Sequence, residues 1–259
     1  MKRLPGIALL IFLCGCGLNQ TSGPIASLQE ECTAPGTIIS SDVPETARGY
    51  PYTYRVYLPP CFSAESESRY PVLYLVPGRN GAPETWFAAG LTDVVDRMIL
   101  SREIPPFIII TTENTDSDSM AETIYNDLLP HIEENYPIIV DRQYHAVAGG
   151  SLGGIAAYRL AFQYPDTFSS AGIFGAGAIS GEEQRINEWL TSMNDTNRVR
   201  VFMDTGDGDP LMLDRAIVMK SILDEMGIEN QLHSGQGGHN YAYWISNFEI
   251  YLEWLAKDW

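Results

Sequence analysis

Apolar and polar positions switch repeatedly between a strand period and a helix period along this chain. From Tyr52 to Leu58 polar and apolar residues alternate and then stop at Pro59-Pro60, the pattern of an antiparallel outer strand. Val72 to Val76 is an unbroken apolar run closed by Pro77-Gly78, which predicts a strand buried on both faces. Leu91 to Leu100 then places Val94, Val95, Met98, Ile99 and Leu100 at helical spacing, and Pro105-Pro106 introduces a second buried strand from Phe107 to Thr111. Ala121 to Tyr136 carries Ile124, Leu128, Leu129 and Ile132 on a helical period, with a bend expected at Pro130. Tyr144 to Ala148 reads as a third strand and Leu152 to Tyr164 as a helix. Ala171 to Phe174, Val201 to Met203 and Asn230 to His233 read as further strands. Ala216 to Met226 is an amphipathic helix stopped by Gly227, and Tyr241 to Ala256 is a last helix with Trp244, Phe248, Leu252 and Leu255 on one face. Strands alternating with helices imply an α/β domain with a mainly parallel central sheet and helices on both faces. Sites in such sheets form in loops at the carboxyl ends of the strands.

Composition adds two constraints. A hydrophobic fraction of 45% with 19% charged residues is that of a globular protein, and the formal charge of -17 argues against nucleic acid as a partner. The first residues read as an export leader: Lys2 and Arg3, an apolar stretch from Leu4 to Leu13 too short to span a bilayer, then Leu13-Cys14-Gly15-Cys16. That ending resembles a bacterial lipobox, which makes Cys16 the expected lipidation site and a lipid anchor the only expected contact with a membrane. The expected organisation is therefore a leader at 1–16, a polar tether at 17–30 and a single folded domain at 31–259. An exported compartment permits a disulfide between the two remaining cysteines, Cys32 and Cys61, which would tie the N-terminal arm to the first strands.

The chemistry concentrates in His145-Ala146-Val147-Ala148-Gly149-Gly150-Ser151-Leu152-Gly153-Gly154. This is G-x-S-x-G where a strand gives way to a helix, the context of a nucleophile elbow, with glycines that let neighbouring backbone pass without Cβ clashes. A serine hydroxyl needs a base, and the base needs an orienting carboxylate. Only His233 and His239 follow Ser151. His239 lies in the flexible Gly235-Gln236-Gly237-Gly238-His239-Asn240 loop and is the expected base. His233 falls within a strand, and His131 and His145 precede the nucleophile; these three are expected to be structural. The acid should follow the Val201 to Met203 strand, with Asp209 favoured, Asp207 next, and Asp204 expected to be fixed at the sheet end. Acyl transfer also requires N–H donors for an oxyanion: the amide of Leu152, and one from the Val76-to-Gly81 loop, where Pro77 has no N–H and Arg79 is the candidate. Trp86 and Trp244 are candidates for walling the substrate pocket, with core packing the competing reading for Trp86.

Several blocks carry a family resemblance: Tyr57-Leu58-Pro59-Pro60, Pro71 to Gly78, Asp127-Leu128-Leu129-Pro130, Ala148 to Gly154, Gly206 to Asp209, and Gly238-His239 with Trp244 five residues beyond. Over roughly 54–259 the chain resembles the bacterial esterases that include feruloyl and acetylxylan esterases, enterochelin-type esterases, S-formylglutathione hydrolase and mycolyltransferases. The resemblance implies an α/β-hydrolase fold, carboxylic ester hydrolysis of a small-molecule or carbohydrate-linked ester through an acyl-enzyme, and no metal or organic cofactor. It puts the family's aspartate and histidine at Asp209 and His239. Pro77 departs from the histidine that many members carry before the glycine. Acyl transfer to a sugar or lipid alcohol, and a surface-anchored binding module without turnover, are the competing readings.

Overall fold

In a computed structural model of the protein, which describes residues 23–44, 46, 49, 51–114 and 117–259, the apolar runs become strands of one sheet. The leader, Cys16 and the first part of the tether lie outside the described residues. In chain order the strands are β1 (Thr37–Val43), β2 (Tyr52–Leu58), β3 (Val72–Val76), β4 (Ile108–Thr112), β5 (His145–Gly150), β6 (Ser170–Phe174), β7 (Arg200–Asp204) and β8 (Asn230–His233). The sheet order is β1-β2-β4-β3-β5-β6-β7-β8. β2 runs antiparallel to both β1 and β4, while β4 through β8 are parallel to their neighbours. The predicted mainly parallel sheet is the one observed.

The helices are α1 (Thr85–Ala88), α2 (Leu91–Leu100), α3 (Ser117–Thr123), α4 (Leu129–Asn135), α5 (Leu152–Gln163), α6 (Glu183–Ser192), α7 (Pro210–Glu225), α8 (Tyr241–Ser246) and α9 (Phe248–Leu255). They cover both faces, and each buried strand divides its side chains between two cores. Val72, Tyr74 and Val76 face a layer containing α3 to α7 residues such as Met120, Ile132, Phe162, Ile186 and Met219. Leu73 and Leu75 face Trp86, Val95, Trp244, Phe248 and Leu252 of α1, α2, α8 and α9. A period of two on a fully buried strand supplies both layers at once.

The structure adds α1 and α6, which no expected element covered, and differs from the expected elements at four further places. β1 carries no burial alternation, and its Ile38 and Ile39 are exposed, so hydrophobic patterning held no sign of it. The helix expected over Ala121 to Tyr136 is interrupted by a π-helical turn at Ile124–Leu128. Pro130 therefore sits in the first turn of α4, where its missing N–H costs little. α7 begins at Pro210, six positions before the expected start, because its first turn is half-exposed and gives no amphipathic signal. The last helix is broken at Asn247, whose side chain donates to Tyr243 O at 2.9 Å and competes with the backbone ladder.

Cys32 and Cys61 are joined in a disulfide with Cα atoms 5.9 Å apart, tying the N-terminal arm to the segment after β2. A cross-link closing a loop of this length stabilises by roughly 3 to 4 kcal/mol in the chain-entropy account.

Candidate active site

β5 ends in Gly149-Gly150, and Ser151 makes the turn into α5 with φ 57 and ψ -120. A non-glycine residue in this region is strained, and such strain persists only where the surroundings fix it. Here Ser151 N donates to Phe174 O at 2.8 Å. The two flanking glycines are required by contact: a Cβ on Gly149 would lie 2.4 Å from the carbonyl carbon of Gly153, and one on Gly153 would lie 2.1 Å from Val76 O. α5 can thus begin flush against β3 and β5, with the Leu152 amide at its N-terminus beside the serine.

His239 comes from the loop after β8. Its Nε2 lies 2.8 Å from Ser151 Oγ, and its Nδ1 lies 2.5 Å from Asp209 Oδ2. The structure therefore brings Ser151, His239 and Asp209 together from three separate loops. The His239 side chain is 37% exposed, so the histidine edge of the group is open to solvent, while Asp209 is mostly covered. Asp209 stands at the N-cap position of α7 without a side-chain cap bond, which leaves its carboxylate to His239, and its N–H donates to Gly206 O at 3.0 Å.

The other aspartates and histidines are engaged elsewhere. Asp207 is exposed and accepts from Gly237 N at 3.1 Å. Asp204 is fully buried at the end of β7, where it accepts from Tyr243 Oη at 2.8 Å and from Tyr251 Oη, and meets His233 Nδ1 at 3.0 Å. Burial first, and the Asp204 carboxylate after it, push both tyrosine hydroxyls far above their ordinary range, so they stay protonated donors. His131 pairs with Tyr54 Oη, and His145 with Ile139 O.

The loop after β3 lies beside the serine: a Cβ on Gly78 would be 3.4 Å from Gly150 O and 3.5 Å from Ser151 Cβ. Gly81 N donates to Gly78 O at 2.9 Å, closing a turn through Arg79 and Asn80, with Asn80 at φ 56. Asn114, just past β4, holds the loop twice, donating from Nδ2 to Pro77 O at 2.7 Å and from its amide to Gly81 O at 2.8 Å. Gly78 N donates to Tyr241 Oη at 2.8 Å. Sequence reasoning missed Asn114 and Tyr241, which belong to no motif. The Asn-Tyr pair directly after His239 was the only local signal for Tyr241.

The two tryptophans do not wall a pocket. Trp86 has no exposed surface and packs among Tyr241, Trp244, Phe174 and Phe248, so a substrate has no face of it to touch. Trp244 is 2% exposed and meets the His239 ring edge-on at 5.3 Å. A Cβ on Gly150 would lie 2.7 Å from its ring.

Residues 46–255 match the family described as "Putative esterase". The chain belongs to this esterase family. A solved ferulic acid esterase is 26% identical, with a TM-score of 0.77 over 87% of this chain and 100% of that one. An S-formylglutathione hydrolase from Staphylococcus aureus is 18% identical, with a TM-score of 0.67 over 86% of this chain and 98% of that one, a likeness of fold. Both place the sheet in the α/β-hydrolase fold. Among curated relatives, the endo-1,4-beta-xylanase/feruloyl esterase of Xylanibacter ruminicola is 26% identical over 147 residues, 51% of this chain and 20% of that protein. The iron(III) salmochelin esterase of Escherichia coli is 26% identical over 186 residues, 62% of this chain and 46% of that protein. The chain thus spans less than half the length of either esterase.

Proposed function

We propose that the protein is an exported serine esterase that cleaves carboxylic esters through an acyl-enzyme on Ser151. The observation that carries this reading is the unbroken contact from Ser151 Oγ through the His239 ring to Asp209, made by a serine held in a strained turn. In the first half-reaction His239 Nε2 takes the hydroxyl proton as Ser151 Oγ attacks the ester carbonyl. Asp209 holds the Nδ1–H tautomer and stabilises the imidazolium. The amides of Leu152 and Arg79 receive the developing oxyanion, and His239 returns the proton to the leaving alcohol. Water, activated by the same imidazole, then releases the acid and restores Ser151.

Esters of hydroxylated aromatic acids are the proposed substrate class, supported by the ferulic acid esterase and the xylanase/feruloyl esterase at 26% identity. Export of one catalytic domain at 31–259, with anchoring through Cys16, completes the proposal. The Cys32–Cys61 disulfide supports the export, because such bonds persist in oxidising compartments.

Steady-state hydrolysis of p-nitrophenyl acetate and methyl ferulate by Ser151→Ala and His239→Ala tests the assignment. Each variant should lose at least about 10³-fold in kcat while remaining folded. Turnover at the wild-type rate in either would refute it.

A further inference from the structure

The loop after β3 is expected to give one N–H to the oxyanion, yet two of its donors are already spent. Pro77 has none. Gly78 N–H goes to Tyr241 Oη at 2.8 Å, and Gly81 N–H goes to Gly78 O at 2.9 Å. Between them stand Arg79 and Asn80; Arg79, exposed at the first central position and next to Gly78, has an amide that faces away from the turn's own hydrogen bond.

Building on the serine-esterase reading, we propose that Tyr241 is a positioning residue for the oxyanion hole, acting by accepting the Gly78 N–H and so fixing the height and orientation of the turn that presents the Arg79 amide. Three observations make the tyrosine suited to this. Its ring is immobilised by edge-on contacts with Trp86 at 4.8 Å and Trp244 at 5.1 Å. Its contact reaches across 163 positions, so it joins α8 to the oxyanion loop directly. It follows His239 by two residues, and Trp244 touches both rings, so one aromatic support serves the base and the oxyanion loop together. Burial also holds the phenol above its ordinary pKa, which keeps its oxygen a neutral acceptor at working pH. Asn114 grips the ends of the loop through Pro77 O and Gly81 O, while Tyr241 grips its middle. Oxyanion donors act only when they are preorganised, and losing one costs on the order of 10²- to 10³-fold in kcat. Loosening a donor should therefore cost a fraction of that.

Tyr241→Phe keeps the ring and removes the acceptor. For p-nitrophenyl acetate, kcat should fall by roughly 10-fold with KM within about twofold of wild type. The inhibition constant of a short alkyl trifluoromethyl ketone, whose Ser151 hemiketal places an oxyanion in the hole, should rise by the same factor. The pH profile of kcat/KM should keep its shape, because His239 is not disturbed. Unchanged kcat and unchanged ketone affinity, whether or not the melting temperature drops, would overturn the proposal. So would a rise in KM alone, or a shifted pH profile with ketone affinity intact. If Tyr241→Phe does not fold, Tyr241→Met, which also removes the acceptor while a flexible side chain fills the aromatic site, carries the test, with the same parallel loss expected and the same results contradicting it. Failure here leaves Ser151→Ala inactive, whereas failure of the esterase reading itself would leave Ser151→Ala active.

Discussion

Ser151 occupies a backbone region that costs a non-glycine residue about 1 to 3 kcal/mol. Its N–H bond to Phe174 O and the glycines beside it hold it there, and the result is a hydroxyl aimed at His239. Polar groups nearby are handled differently. Asp204 is wholly buried, yet two tyrosine hydroxyls and His233 satisfy it, so its position at the end of β7 is structural. His145, at the start of β5, is the opposite case. Its Nε2–H donates to Ile139 O at 2.6 Å, and its Nδ1 is buried without a partner. Burial lowers its pKa from 6.5 to about 4. Between those two values the unfolded chain binds a proton that the folded chain refuses, so stability declines as pH falls through this window and levels off below it. The shift corresponds to about 3 kcal/mol. Urea unfolding at intervals from pH 7 to 4 should show wild type losing about that much more stability than His145→Gln. Identical pH dependence in the two proteins would contradict the burial argument.

At the scale of elements, the elbow depends on α5 starting in contact with β3. Gly153 has no room for a methyl group, since the nearest obstacle, Val76 O, is backbone and cannot turn aside. Gly153→Ala must push α5 away from the sheet and take Ser151 with it. The expected cost is roughly 1 to 3 kcal/mol in stability, together with a fall of more than about 10-fold in kcat/KM. Thermal melts and ester hydrolysis measure both, and a variant that melts and turns over like wild type would show that the tight junction is not needed. The strands of this region were legible in the sequence because a doubly buried strand must be apolar at every position, as Val72–Val76 is. β1 was illegible for the converse reason, its side chains from Thr37 to Ser40 being exposed on both faces. The π-helical turn before α4 and the break at Asn247 leave the apolar period intact, so periodicity could not locate them. Ser151, His239 and Asp209 could be nominated from a motif and a chain order. Tyr241 and Asn114 could not, because their roles rest on hydrogen bonds between segments that only the fold brings together.

Across the whole molecule, the loops that follow β7 and β8 are laced into one unit. Asp207 N donates to Gly235 O at 2.9 Å, Gly208 N to Gly237 O at 2.8 Å, and Gly235 N to Tyr243 Oη at 3.0 Å, with Tyr243 in turn donating to the buried Asp204. Asp209 and His239 stand at the ends of these two loops, so the sheet edge fixes the distance between carboxylate and imidazole. Ser151 arrives independently from β5, and the Pro77–Gly81 loop from β3. An arrangement in which four strand ends converge on one hydroxyl has a direct chemical signature, an activated serine in a protein with other serines available as internal controls. Incubating the protein with a fluorophosphonate and mapping the adduct by peptide mass spectrometry reads that signature. The account predicts one adduct per chain, on Ser151, formed in step with the loss of ester hydrolysis; an adduct on a different residue, or full hydrolysis surviving complete modification of Ser151, would contradict it.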